Sequence, residues 1–264
     1  LLTGDLGFGV FDQFRTEIPN QFLNLGVAEQ NMALVSAGMA LTGKKIFIYS
    51  IGNFPTFRCL EMIRNDIAYH NLDVKIVSIG GGFSYGQLGM SHHATEDISV
   101  MRSIPNIDIY VPSSLEEVEL VTDQLCKTEG PAYLRLDKDS GYQEKSHYEL
   151  LFFKKPRNLS LENADIIFLG TGGIMSQVQE VVQILNSQGL LSTCYSIHSI
   201  KPLRLDEIKE ILFNSTLIVT VEENNLMGGF GSLILENLID LGMSVDSNRF
   251  LRLGIPDCFA EIVG

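Results

Sequence analysis

The chain has 264 residues, 45% of them apolar and 19% charged, which suits two modest domains with real cores or one large one. A net charge of −13 argues against a nucleic-acid surface or an anionic membrane as partner. No apolar run approaches the roughly 18–20 residues of a membrane helix, and the four scattered cysteines, with no CxxC pair, fit reduced thiols in a cytoplasmic protein better than disulfides or a structural zinc.

The chain opens inside what reads as a strand, "LLTGD", with no initiator methionine and no basic–apolar–small leader, so a portion of a longer polypeptide is expected. "NLGVAEQNMALVSAG" follows, where Glu29 begins a helix that is otherwise almost wholly apolar. An ionised carboxylate buried without a partner costs several kcal/mol, so Glu29 needs something opposite it: a helix end, an arginine or a ligand. "KIFIYS" and "VKIVSIG" read as buried strands, with helical apolar spacing from Phe57 to Tyr69 between them. "IDIYVPS" is a further strand, and Ser113 or Ser114 followed by Glu116 and Glu117 forms a capping-box start for the helix "LEEVELVTDQLCK". "AYLRLD" closes this series as a strand.

The polar stretch "SGYQEKSHYELLFFKKPRNLSLEN" breaks the rhythm and reads as a connection. A second series follows: "DIIFLGTGG", a helix over 174–186, "STCYSI", a helix over 205–213, "TLIVTVEE" and a helix over 231–241. Such alternation predicts an α/β protein of two doubly wound domains with mainly parallel sheets, over 1–140 and 164–264, joined by a linker at 141–163.

Ligands of open α/β sheets sit beyond the carboxyl ends of the strands. Three loops there draw attention: "TGDLGFG", "SIGNFPTF" and "GGGFSYGQLGMSHHATED". None has the spacing of a phosphate-cradling glycine loop, and the adjacent His92 and His93 suit a helix start better than a metal site.

Taken in order, "TGDLG", "NLGVAEQNM", "FPTFRCLEMIRNDIAY", "SHHATED", "MRSIPNIDIYVPSS", "SIKPL", "VEENNLMGGFG" and "RLGIPDCFAE" resemble successive motifs of the transketolase family, over essentially the whole chain. The resemblance implies the pyrimidine-binding and C-terminal domains of a thiamine-diphosphate enzyme. It places Glu29 opposite N1′ of the cofactor's aminopyrimidine, favouring the imino tautomer whose N4′ takes the C2 proton. It also places Phe54 on the pyrimidine face, Phe57 in the same pocket and Asp5 near the cofactor at an interface with another chain. His92 falls near the reactive carbon, suited to bonding donor oxygens or moving a proton, and His93 at a second pocket position. Arg58, Arg64 and Arg102 are expected in structural ion pairs, and the glycine-rich "VEENNLMGGFG" and His198 in structural roles.

The family binds the diphosphate and Mg2+ through a GDG segment and a later asparagine on another domain, and nothing here fits that pattern. The implied assembly is therefore a heteromer with an N-terminal-type transketolase subunit, two of each, active only together. At the substrate end, Leu88 stands where the family usually carries an acid, Gly80 where sugar-phosphate enzymes carry a histidine, and Lys138 in place of a phosphate-gripping arginine, with Arg135 close enough to compensate. A two-carbon ketol transfer on altered sugars, modified or nucleotide-linked, is the expected reaction. The alternatives are a deoxyxylulose-phosphate-synthase-like enzyme, a 2-oxoacid dehydrogenase β-type subunit and a non-catalytic scaffold.

Overall fold

The computed structural model describes residues 1–138, 164–205 and 209–261; the expected linker at 141–163 lies outside them, as do residues 206–208 of the expected helix over 205–213. The first domain is built on β1 (Leu2–Thr3), β2 (Leu23–Asn24), β3 (Ile46–Ile51), β4 (Val74–Ile79), β5 (Asp108–Tyr110) and β6 (Ala132–Leu136). They pair in parallel in the order β2-β1-β3-β4-β6-β5. The central strands are buried on both faces, which is why they read as continuous Ile/Val runs rather than as alternation.

Helices α1 (Asp12–Glu17), α2 (Glu29–Ala40), α3 (Leu60–Met62), α4 (Asp97–Arg102) and α5 (Leu115–Lys127) connect these strands. Helix α5 has the predicted bounds: Ser114 Oγ accepts the Glu117 N–H at 3.2 Å, and Glu117 Oε2 accepts the Ser113 N–H at 2.6 Å. The expected single helix from Phe57 to Tyr69 is instead three winds: a 3₁₀ turn at Phe57–Cys59, α3, and a π-helix at Ile63–Ala68. The wide turn brings Ile63, Ile67 and Ala68 together into the core, a demand that 3.6-residue spacing does not express.

The second domain comprises β7 (Ile166–Gly170), α6 (Met175–Ser187), β8 (Ser192–Ser196), β9 (Ser199–Lys201), α7 (Lys209–Asn214), β10 (Leu217–Asn225), α8 (Phe230–Asp240) and β11 (Phe250–Ile255). Its parallel sheet has the order β11-β10-β7-β8. β9 is not part of it. That strand crosses to the first domain and pairs antiparallel with β5, so it becomes the seventh strand of the first sheet.

Arg135 on β6 fastens the two domains from within. It is 1% exposed; Nε donates to Asp97 Oδ2 at 3.0 Å, and Nη2 donates to the carbonyls of Ala94 and of Glu223 on β10, both at 3.1 Å. Burial works against its charge, but the carboxylates of Asp97 and Asp137 hold its pKa above the ordinary guanidinium value. Tyr133 donates to the same Asp97 oxygen at 2.6 Å. Arg102 bridges the domains a second time, donating to the Gly228 carbonyl at 2.8 Å and pairing with Glu236. Removing one member of a buried pair leaves the other charge stranded, so Arg135→Met is expected to destabilise the chain by about 3–5 kcal/mol, read by urea denaturation.

Glu117 lies in this inter-domain layer too. Burial pushes its carboxyl up to about 7, against the pull of the Ser113 N–H. Between about 4.5 and 7 the folded chain therefore holds a proton that the unfolded chain has released, and stability falls as pH rises through that window. Glu117→Gln removes the dependence: its stability gain over the parent is expected to be on the order of 2–3 kcal/mol larger at pH 8 than at pH 5. Equal gains at the two pH values would contradict this.

Candidate active site

The loops at the carboxyl ends of β1 and β3 meet around Glu29, and the loop after β4 reaches them through the His92 ring against Phe54. The first residue of α2, Glu29 is 2% exposed, so its carboxylate sits in the first helical turn and away from water. It faces two groups of its own chain. Arg58 Nη1 donates to Oε2 at 2.8 Å, whereas Oε1 has only the Ser50 Oγ, at 3.4 Å. Gly4 lies beside the same oxygen: a Cβ there would be 3.4 Å from Glu29 Cγ and 3.6 Å from Oε1.

The turn after β3 supplies the aromatic wall. The half-buried Phe54 carries the Arg58 guanidinium over its face, with Cζ 4.8 Å from the ring centroid, and meets the His92 ring edge-on at 5.2 Å. His92 Nδ1 lies 3.1 Å from Ser91 Oγ, and its ring is half-buried. Glu29, Phe54 and His92 are thus linked through contacts with one another or with Arg58.

Phe57 and His93 belong to a neighbouring space. They line a cavity of about 420 Å³ with Asn53, Glu96 and, from the second domain, Phe259. His93 is 5% exposed, its Nε2 lies 3.1 Å from the Gly86 carbonyl, and its ring meets Phe83 edge-on at 5.1 Å. The Oδ1 of Asn53 is buried without a hydrogen-bond partner, while its Nδ2 donates to the His93 carbonyl at 2.6 Å.

Asp5 lies at the exposed rim, in the left-handed region at φ 59°, where the Asn24 side chain holds it: Asn24 Oδ1 accepts the Asp5 N–H at 3.0 Å and Nδ2 donates to Asp5 Oδ1 at 2.9 Å. Lys138 is exposed and lies elsewhere, over the Tyr85 ring at 5.7 Å and beside a second cavity, of about 290 Å³, lined by Pro112, Ser113 and Gly173. Arg135, expected to compensate for Lys138, instead points into the domain interface with its guanidinium committed to Asp97 and two carbonyls. The sequence alone suggests a pocket group because its partner Asp97 lies 38 residues away and gives no local signal. Of the three arginines expected in ion pairs, Arg58 and Arg102 are in them, while Arg64 donates to the Asn65 side chain at 2.8 Å.

Sequence reasoning missed Asn24, Ser50 and Tyr85. Tyr85 is the most consequential. Gly80, at φ +91°, has its would-be Cβ position 2.2 Å from the Tyr85 ring, so that ring fills the room a side chain at 80 would need.

The profile described as "Transketolase, pyrimidine binding domain" matches residues 1–143, and that described as "Transketolase, C-terminal domain" matches residues 158–262. The chain belongs to the transketolase family. A protein of Methanocaldococcus jannaschii named as a transketolase C-terminal section is 33% identical over 249 residues, covering 94% of this chain and 77% of the relative. One of the subunits of an apulose-4-phosphate transketolase, from Phocaeicola vulgatus, is 30% identical, covering 92% of this chain and 77% of that one. A 6-deoxy-6-sulfo-D-fructose transketolase subunit of a Clostridium species is 29% identical, covering 95% and 76%. A solved split-gene transketolase, described as an inactive beta4 tetramer, superposes with a TM-score of 0.80 at 28% identity, over 99% of this chain and 84% of that one.

Within this transketolase fold, the Gly80–Tyr85 contact can be tested by its effect on the packing of the loop after β4. Gly80→Ala combines a left-handed φ with overlap on the Tyr85 ring, and roughly 2–4 kcal/mol of destabilisation is expected in urea denaturation. Introducing Tyr85→Ala should relieve only the steric part. A double-mutant cycle with no coupling would show that Tyr85 does not fill that space.

Proposed function

We propose that this chain is the C-terminal-type subunit of a two-subunit, thiamine-diphosphate-dependent transketolase that moves a two-carbon ketol unit between modified sugars. The observation that carries the reading is the Glu29 carboxylate, 2% exposed at a helix start, with an aromatic face and a histidine close by. That donor set fits an aminopyrimidine: an acid able to share a proton with a ring nitrogen, a flat apolar wall and a polar group towards the substrate. Bound thiamine diphosphate supplies a thiazolium carbon whose anion can attack a ketose carbonyl and stabilise the transferred fragment.

The chain's own residues do the rest. Glu29 offers Oε1, the oxygen less engaged by its neighbours, to N1′ of the ring. Phe54 gives the ring a stacking surface, and Phe57 lines the adjoining cavity with His93. His92, with Nδ1 turned to Ser91, has Nε2 to bond a sugar oxygen or move its proton. His93 and the cavity it lines extend the site past His92 towards the sugar. Asp5 stands at the rim, where contact with another chain is expected, and Lys138 gives a point charge for an anionic substituent. The diphosphate and Mg2+ are assigned to a partner subunit of the N-terminal type, two of each chain forming the assembly. The relatives named for apulose-4-phosphate and for a sulfo-sugar support a modified sugar as substrate, as does the substrate-side loop, where Gly80 and Tyr85 leave no room for a histidine side chain at position 80. The expected location is the cytoplasm; among the described residues no helix is long and apolar enough to cross a membrane.

The test pairs this chain with its co-purifying partner, thiamine diphosphate, Mg2+ and a panel of ketoses and aldoses. Turnover is expected only from the mixture, and Glu29→Gln should lower it about 100-fold or more while size-exclusion chromatography shows the assembly intact. Full turnover by the lone chain, or by the Glu29→Gln complex, refutes the proposal, and ordinary ketose phosphates proving the best donors refutes its substrate class. Product analysis distinguishes ketol transfer from pyruvate condensation and from oxidative decarboxylation.

A further inference from the structure

Arg58 touches both groups that the proposed function assigns to the cofactor ring. Its Nη1 donates to Glu29 Oε2 at 2.8 Å, and its guanidinium lies over the Phe54 face, Cζ 4.8 Å from the centroid. The backbone around it is tied down. Gln30 Nε2 donates to the Arg58 carbonyl at 3.0 Å, Cys59 Sγ donates to the Phe54 carbonyl at 3.3 Å, and the Arg58 N–H reaches the Asn53 carbonyl at 3.4 Å. Helix α2 therefore holds the turn that presents Arg58, and Arg58 in turn holds the first side chain of that helix.

The two carboxylate oxygens are treated unequally. Oε2 takes the charge-assisted bond, which is short and directional, whereas Oε1 has a long contact with Ser50. A guanidinium is planar and stacks on aromatic faces, so one side chain can set the rotation of a carboxylate and hold an adjacent ring. Arg58 is also half-exposed, 47% against 2% for its partner, an uneven pairing for a surface salt bridge.

We propose that Arg58 is a positioning residue for the transketolase reaction: by fixing Glu29 Oε2 and the Phe54 ring together, it presents Oε1 to the cofactor's N1′. The role rests on the function proposed above. It requires the proton relay through Glu29 to weaken when the guanidinium is lost, even though Arg58 itself touches neither the reacting carbon nor the sugar.

The experiment uses the complex with the co-purified partner, loaded with thiamine diphosphate and Mg2+, and follows exchange of the cofactor's C2 hydrogen for deuterium by NMR after acid quenching. Arg58→Met should slow exchange at least tenfold with cofactor affinity changed less than threefold. Arg58→Lys, which keeps the charge but loses the planar fork, should slow it about threefold and serves if the methionine variant fails to assemble. Adding Arg58→Met to Glu29→Gln should slow it no further, since both act through one carboxylate. On the chain by itself, labelled with 15N-arginine, the Arg58 Nε–H resonance should move in both Glu29→Gln and Phe54→Leu. Exchange within twofold of the parent in both Arg58 variants overturns the role, as does additivity with Glu29→Gln or a resonance unmoved by either substitution. If Glu29→Gln abolishes exchange while Arg58→Met leaves it intact, Arg58 alone has been misassigned. If the parent complex exchanges no faster than free cofactor, the proposed function falls and the role falls with it.

Discussion

A carboxylate held away from water has to be answered by charge or by hydrogen bonds, and at Glu29 the answer comes from a residue 29 positions later in the chain, Arg58. Meeting that demand fixes more than one pair. The guanidinium can reach Oε2 only if the turn after β3 folds back onto α2, and Gln30 secures that turn by bonding the Arg58 carbonyl. Ser50, at the end of β3, and Gly4, just past β1, close in on the remaining oxygen. Two strand ends, a helix start and a tight turn are arranged around one acid.

The histidine-bearing loop after β4 is held by different means. Its far end returns to its start through the pairing of Gly82 with Ala94, and Ala94 also gives its carbonyl to Arg135. Arg135 in turn reaches Glu223 on the second domain. The segment carrying both histidines is thus tied to the inter-domain layer through the Ala94 carbonyl.

Much of the fold is legible in residue order because the β-branched runs are long and the helices between them strongly patterned; α5, with its serine cap and amphipathic repeat, needs no tertiary information. What escapes is what distant pairing creates. β9 is three residues whose extended form comes from hydrogen-bonding to β5, some 90 residues earlier. β11 alternates between exposed and half-buried positions at the sheet edge, so its run lacks the apolar continuity of its neighbours. The π-helix depends on core shape at Ile63, Ile67 and Ala68, and helical spacing alone gives only "helix" there. In the site, an acid inside an apolar helix and a histidine pair in a glycine loop stand out by eye, and a family resemblance gives them roles. Tyr85 does not stand out, since a tyrosine near a glycine is an ordinary neighbour until the structure shows what it occupies; Arg58 is expected in an ion pair, but residue order does not show that its partner is Glu29 or that it also covers Phe54.

The strand lent by the second domain has a mechanical consequence. With β9 hydrogen-bonded into the sheet of the first domain and a buried guanidinium clasping the same seam, the two halves cannot swing against each other without tearing a ladder and exposing a charge. They travel as one block. Any opening around the candidate site must come from its rim loops or from this block moving as a whole, and not from a hinge inside it.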